Sequence, residues 1–235
     1  MHSMADVKDN TRNLLEDIEL FQGLTAAQFD SVARRTHRQA FPAGANVITA
    51  DQPGEAVYVV LHGTVKIHIE QAGGRDVILS ILGHGNILGE MSLIDSVGRS
   101  ANVTTLENSL MLWMDKETFQ NLLDDYPCVA RNLVRILSAR IRLSDRLIQA
   151  LASLDVYGRV ARQLLAFADQ YGCVNHDGLQ ITIILTQGDM ADLVGASRKR
   201  VNQVMVSFKE QGLISTEKDG HIVLLDRSGL ARYCK

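Results

Sequence analysis

The sequence predicts an α+β protein: an N-terminal antiparallel β-rich domain, a long helix, and a C-terminal winged helix-turn-helix. Three observations carry this reading. Short β-rich runs separated by glycine turns fill residues 38–115. Apolar residues then recur at 3-4-3-4-3 spacing from Val134 to Leu151. Finally, residues 185–213, LTQGDMADLVGASRKRVNQVMVSFKEQGL, read as two short helices around a tight turn, the second with a basic face. The expected domains are 1–115 (β-rich, with N-terminal helices), 116–153 (long helix and hinge) and 154–235 (winged helix-turn-helix).

The elements follow in order. Residues 14–35 look helical in two pieces broken near Gly23. Strands are expected at Asn46 to Thr49, Ala56 to Leu61, Thr64 to Ile69, Asp76 to Ile81, Ser100 to Thr105 and Ser109 to Met114. Turn residues such as Pro53-Gly54, Gly63 and Gly73-Gly74 separate them. Many short strands with regular glycine turns indicate a small barrel or sandwich.

A helix should then run from about Lys116 to Leu151, with a break near Pro127. Its stripe of Val134, Leu137, Ile141, Ser144, Ile148 and Leu151 has the period of a coiled-coil seam. Either a second copy buries it or the chain's own barrel does. The one polar seam position, Ser144 beside Asp145, either fixes register or touches something bound there. Asp155 is placed to cap the next helix.

In the two-helix unit, Thr186 with Asp189 three residues on forms a shortened capping box, and Gly195 supplies the turn. Ser197 caps the second helix, which buries Val201, Val204, Met205 and Phe208 at i, i+3, i+4 and i+7. That leaves Arg198, Lys199, Asn202 and Gln203 on the exposed side of its first turns, where a recognition helix meets base edges. Strands within 178–185 and 213–225, the latter with a hairpin signal at Lys218-Asp219-Gly220, make the unit a winged one.

Composition sets limits. The chain has 235 residues, is 46% apolar and carries a net charge of −3. Nucleic-acid binding must therefore come from a local basic face and not from bulk charge. Cys128, Cys173 and Cys234 are too scattered for a disulfide framework or a metal cluster and read as inert thiols. No apolar run reaches the roughly 18 residues of a membrane span. The polar start lacks the hydrophobic core of a signal peptide, so a cytoplasmic protein is expected. No nucleophile–base pair or metal motif is evident, so an enzyme is not expected. Nor does the sequence offer the thiolates of an iron–sulfur cluster or a pocket for haem around His62, His68 or His84.

A further signal lies in Gly85 to Thr105, GNILGEMSLIDSVGRSANVTT. Gly89 frees backbone where a ligand must come close. Glu90 is an acceptor suited to sugar hydroxyls. Arg99 and Ser100 join a guanidinium fork to a hydroxyl, good chemistry for a phosphate. The same residues also suit a surface ion pair.

Taken in sequence, these motifs resemble the CRP/FNR family of bacterial transcription regulators, in particular its cyclic AMP receptor branch. The resemblance covers nearly the whole chain. It rests on Gly89-Glu90 with Arg99-Ser100, on the long helix, on the stretch Leu154 to Arg159, and on Gly195-Ala196-Ser197-Arg198. It implies a ligand-binding β-roll of the cyclic-nucleotide type, a dimerisation helix, and a homodimer that binds double-stranded DNA at palindromic sites under control of a cyclic nucleotide, cyclic AMP. RNA polymerase is the further partner implied, and no resident cofactor or metal. Gly89 and Glu90 would meet the ribose and Arg99 and Ser100 the phosphate. Ser80 and Leu82 would line the pocket, Arg140 would pair with Glu90, and Ser144 would lie at the base-contacting position.

Two departures stand out. The family's cyclic AMP branch has two adjacent hydroxyl residues where this chain has Ser144 and Asp145. An acidic group there accepts from an adenine amino group or selects another ligand. In the recognition helix, Arg198, Lys199 and Gln203 stand where the best-known member has Arg, Glu and a later Arg; Lys199 cannot accept from cytosine as a glutamate would. The alternatives within the same fold are a cyclic dinucleotide as ligand, or DNA binding without any small molecule. Outside the family, a nucleotide-binding interaction module remains.

Overall fold

A computed structural model of the chain describes residues 14–71, 76–176, 178–217 and 220–235. It divides into two compact units, Met1–Ile67 with Ile81–Arg142, and His68–Ser80 with Leu143–Lys235.

In the first unit a 3-10 turn, Glu19–Phe21, precedes helix α1, Ala26–Arg35. The backbone N–H of Thr25 donates to Gln28 Oε1 at 2.7 Å, half of a capping box. The strands are β1 (His37–Phe41), β2 (Asn46–Ile48), β3 (Ala56–His62), β4 (Val65–Glu70), β5 (Asp76–Leu82), β6 (Ile87–Leu88), β7 (Asn102–Thr105) and β8 (Ser109–Asp115). They form two four-stranded sheets, β1-β8-β3-β6 and β2-β7-β4-β5, of which His68–Glu70 of β4 and Asp76–Ser80 of β5 are counted in the second unit. β8 pairs antiparallel with β1 on one side and β3 on the other.

The two-residue period of a strand explains how one sheet serves two cores. From β3, Val60 points inward and joins Ile48, Val65, Leu82, Leu88, Val103 and Met111 in the space between the sheets. From the same strand, Val57, Val59 and Leu61 point outward. There they meet Phe29 and Val32 of α1, and Phe119 and Leu122 of α3 (Lys116–Asp125). The short helix α2, Met91–Ile94, follows β6.

The helix expected from 116 to 151 is two helices, broken where the sequence has Pro127: α3, and α4 from Pro127 to Ser153. α4 carries two apolar stripes. Val129, Leu133 and Ile136 are buried against the barrel's outer core. Of the 3-4-3-4-3 stripe, Leu137 is half-buried and packs against that same core, while other members turn away from it. Val134 is 64% exposed, Ile141 63% and Ile148 64%. For Val134 and Ile141, burial by the chain's own barrel is ruled out.

The second unit is built on α5, Val156–Tyr171, whose cap Asp155 accepts from the Gly158 N–H at 2.9 Å. Next come β9 (Gly172–Val174), β10 (Leu179–Ile181), α6 (Gln187–Val194), α7 (Arg198–Glu210), β11 (Ile214–Thr216), β12 (Ile222–Leu224) and α8 (Arg227–Ala231). The small sheet has the order β11-β12-β10-β9. In the expected wing hairpin, Lys218 and Asp219 lie outside the described residues; Gly220 has φ +94°. β1, β6, β9 and α8 are elements the sequence reading did not anticipate.

Candidate functional site

Gly89 follows β6 with φ +79°. A Cβ there would lie 2.3 Å from Arg99 Nη1 and 3.0 Å from Ile48 Cδ1, so both backbone angle and space require glycine. The reason for the crowding is the Arg99 side chain, which folds back beneath this turn. Its Nη1 donates to Gly89 O at 2.6 Å and to Ser92 Oγ at 2.9 Å, and its Nη2 donates to Ala56 O at 2.6 Å. Main-chain bonds from Asp51 N to Arg99 O and from Arg99 N to Gln52 O, both 2.9 Å, fix its backbone. Arg99 is buried. Burial pulls its guanidinium below the ordinary arginine value, opposed by Tyr58, Glu90 and Glu55.

Glu90 is also buried, at 3% side-chain exposure, and its Oε1 accepts from Arg140 Nη1 of α4 at 2.8 Å. Arg140 Nη2 donates to Ile87 O. Arg140 Nε is buried with no partner among the described residues. A carboxylate and two guanidinium groups thus converge on the turn after β6, with the two cations anchored by main-chain carbonyls. Such an arrangement holds positive charge in place without a bound anion and can receive one by the N–H groups left over.

The expected site residues fall into three groups. Gly89, Glu90, Arg99 and Arg140 are brought together. Leu82 is buried in the core between the sheets. Ser80 is half-buried on β5, and Ser100 is exposed beside Arg99. Ser80, like Ser144 and Asp145, belongs to the second compact unit, and the latter two are exposed on α4. Sequence reasoning missed Ser92 and the Ala56 carbonyl as supports of Arg99. Ser92 had a local signal: a serine three residues after Gly89, whose hydroxyl donates back to Gly89 O at 3.2 Å.

The second cluster of cations is on α7. Thr186 Oγ1 accepts from Asp189 N at 3.0 Å, and the Asp189 carboxylate accepts from Thr186 N at 3.2 Å, closing the expected capping box. Gly195 takes the left-handed conformation at φ +61°, ψ +47°. Ser197 caps α7 by accepting from Arg200 N at 3.2 Å. Val201, Val204, Met205 and Phe208 are buried, and Ser197, Arg198, Lys199, Asn202 and Gln203 are exposed. Arg200, absent from the sequence reading, shares this face. Its guanidinium lies 5.5 Å from the centroid of the Tyr157 ring, and its Nη1 donates to Gln203 Oε1 at 3.2 Å.

Among the described residues there is no group of three or more His, Cys, Asp or Glu set to hold a metal ion, and no helix is long and apolar enough to cross a membrane.

A β-barrel holding an anion-ready cradle, in one chain with a capped and cation-bearing helix-turn-helix, defines a ligand-responsive DNA-binding regulator. Residues 38–126 match the cyclic nucleotide-binding domain, and residues 158–233 match the Crp-like helix-turn-helix domain. The chain is 32% identical, over 91% of its length and 95% of the relative's, to a CRP-like cAMP-activated global transcriptional regulator of Mycobacterium tuberculosis. Among solved structures it is similar to the c-di-GMP responsive global regulator CLP of Xanthomonas campestris. That likeness has a TM-score of 0.70 and 26% identity, covering 85% of this chain and 99% of the other. A variant of CooA from Carboxydothermus hydrogenoformans shares the fold, with a TM-score of 0.76 and 22% identity over 93% and 97%. The chain belongs to the CRP/FNR family of transcription regulators, a family of regulators and not of enzymes.

Proposed function

We propose that the chain is a homodimeric regulator in which cyclic AMP, bound in each barrel, controls binding to palindromic DNA. The observation that carries this reading is Arg99: a buried guanidinium held beneath the Gly89 turn, with Glu90 beside it. In it a cyclic phosphate meets Arg99 and Ser100, the ribose meets Gly89 and Glu90, and Ser80 and Leu82 line the pocket. Arg140 ties Glu90 to α4, and Ser144 and Asp145 take the base. Two copies pair through the exposed stripe of Val134, Ile141, Ile148 and Leu151, so the domains are 1–115 for the ligand, 116–153 for pairing and 154–235 for DNA. A ligand that binds two helix arrangements unequally shifts the population toward one. In that one, the paired α7 helices present Ser197, Arg198, Lys199, Asn202 and Gln203 to successive major grooves, about 34 Å apart. RNA polymerase is the partner such a regulator answers to, in the cytoplasm.

The relative named as cAMP-activated supports cyclic AMP. A second reading, a cyclic dinucleotide, is favoured by Asp145 at the base position and by the likeness to the c-di-GMP responsive regulator. The test is calorimetric titration of the purified protein with cyclic AMP, cyclic GMP and cyclic di-GMP, followed by DNA mobility shifts with and without the ligand that binds. Heat with cyclic AMP, lost in Arg99→Ala, supports the first reading. Heat with cyclic di-GMP alone replaces it by the second. Folded protein silent to all three, with operator affinity unchanged by Arg99→Ala, rejects ligand control.

A further inference from the structure

The stripe on α4 has a heptad register. Val134, Ile141 and Ile148 fall at position a, and Leu137, Ser144 and Leu151 at position d. β-branched residues at a with leucine at d favour a parallel pair of helices. In such a pair, the residue at g of one helix faces the residue at e in the next heptad of the other. Here the facing residues are Leu133 with Ser138, Arg140 with Asp145, and Leu147 with Ala152. Of these, Arg140 with Asp145 alone is charged, and the two signs are opposite. An antiparallel pair sets g against g and e against e, so the two charges would not meet.

Arg140 has donors to spare. Its Nη1 donates to Glu90 Oε1 at 2.8 Å and its Nη2 to Ile87 O. A guanidinium carries five N–H groups in a fixed fork, so each terminal nitrogen keeps one more. The side chain is 24% exposed, which leaves it open to an acceptor arriving from outside the chain. Asp145 lies exposed on the same helix, and no ion pair is recorded for its carboxylate among the described residues.

We propose that the partner's Asp145 pairs with Arg140 across the seam, so that Glu90, Arg140 and the partner's Asp145 form one chain of charges from each cradle to the opposite helix. The pair sets the parallel register of the two copies, and whatever Glu90 binds is felt by the other subunit through a single guanidinium. A carboxylate offers about four lone-pair sites, so this pairing leaves Asp145 able to meet a base as well. The inference rests on the reading of the chain as a homodimer paired through the α4 stripe.

The experiment is fluorescence-detected sedimentation equilibrium of the intact protein, without nucleotide and with cyclic AMP, at low and high salt. The samples are the wild type, Asp145→Asn, Asp145→Lys, Arg140→Gln and the double variant Arg140→Gln/Asp145→Asn. Asp145→Asn should raise the dimer dissociation constant about fivefold, and Asp145→Lys should raise it further. With Gln at position 140, the change from Asp145 to Asn should have little effect. Salt should weaken the wild-type dimer and strengthen the Asp145→Lys dimer, because it screens an attraction in one and a repulsion in the other. That sign is read without touching the cradle, and it decides the matter even where Arg140→Gln folds poorly. Asp145→Asn and Asp145→Lys proteins that dimerise as tightly as the wild type overturn the proposal. So does an Asp145→Asn effect that is undiminished in the Arg140→Gln background. Both of these leave the homodimer standing. A wild type that is monomeric with and without cyclic AMP overturns the homodimer reading, and the proposal with it.

Discussion

The two cationic sites of this chain are built on opposite plans. Around Gly89 the charges are sealed. Arg99 and Glu90 are buried, and each guanidinium is tied to carbonyl oxygens already in place. On α7 the charges are open, and Arg198 and Lys199 stand in water. The difference follows from the energetics of burial. A buried charge without partners costs far more than folding can offset, so the cradle must satisfy itself before any ligand arrives. An exposed charge costs nothing to hold and is free to meet a phosphate. Mutations in the first site should therefore register as stability and binding together, and those in the second as binding alone.

The largest effect should come from Glu90→Ala. It strands Arg140, whose Nη1 loses its carboxylate partner at 2.8 Å. Removing one member of a buried pair destabilises by about 3–5 kcal/mol. Because Arg140 keeps 24% exposure, the lower part of that range is expected, read as a fall in the urea midpoint. A stability unchanged from wild type would show that the cradle is not sealed, and the contrast with α7 would collapse.

Next is Gly89→Ala. A methyl group would meet Arg99 Nη1 at 2.3 Å, on a backbone at φ +79°. Strain of this kind costs about 1–3 kcal/mol. It also pushes the guanidinium off its carbonyls, so nucleotide affinity should fall with stability. Urea denaturation and calorimetry on the same sample separate the two losses.

How much of this was legible beforehand divides along similar lines. The helix-turn-helix could be read in detail because its determinants are local: the Thr186 box, Gly195 and the Ser197 cap each act within three or four residues. The exposed stripe on α4 was legible for the same reason, as a period. What escaped was set by distant parts of the chain. β1, His37-Arg38-Gln39-Ala40-Phe41, has no apolar alternation and exists because β8 pairs with it. The buried stripe of Val129, Leu133 and Ile136 is defined by the barrel it packs on. Arg99 was singled out, but its partner Ala56 O is a main-chain atom 43 residues away, invisible to any motif. Arg200 was missed because its placement depends on Tyr157, in another helix.

Smaller effects come from the helix caps, which sharpen the comparison by setting a neutral cap beside a charged one. Ser197→Ala removes the acceptor of Arg200 N–H and should cost about 1 kcal/mol at any pH. Asp115 caps α3, and the backbone N–H of Thr118 holds its carboxyl below the usual range. A depressed carboxylate value means that the charged form is favoured by folding. The contribution is present above the ordinary value near 4 and is lost as pH falls through the depressed one. Asp115→Asn should therefore flatten the acid limb of the stability profile, while Ser197→Ala should only lower the profile throughout. Chemical denaturation between pH 2 and pH 7 distinguishes the two shapes.

The smallest change in stability, and the cleanest test of the open site, is Lys199→Ala. Lys199 is exposed at the start of α7, and surface substitutions of this kind stay within about 0.5 kcal/mol. If Lys199 meets a phosphate, its loss should weaken binding to all sequences nearly alike and lower the slope of log affinity against log salt by about 1. If it reads a base, the slope should hold and one base pair should lose its preference. Arg198→Ala is the companion: a guanidinium on guanine gives about 1–3 kcal/mol of discrimination at a single position. A salt titration of operator affinity for the two variants assigns each cation to positioning or to readout. A loss of unfolding free energy in either variant beyond about 0.5 kcal/mol, read by urea denaturation, would mean that the α7 charges are structural after all, as those of the cradle are.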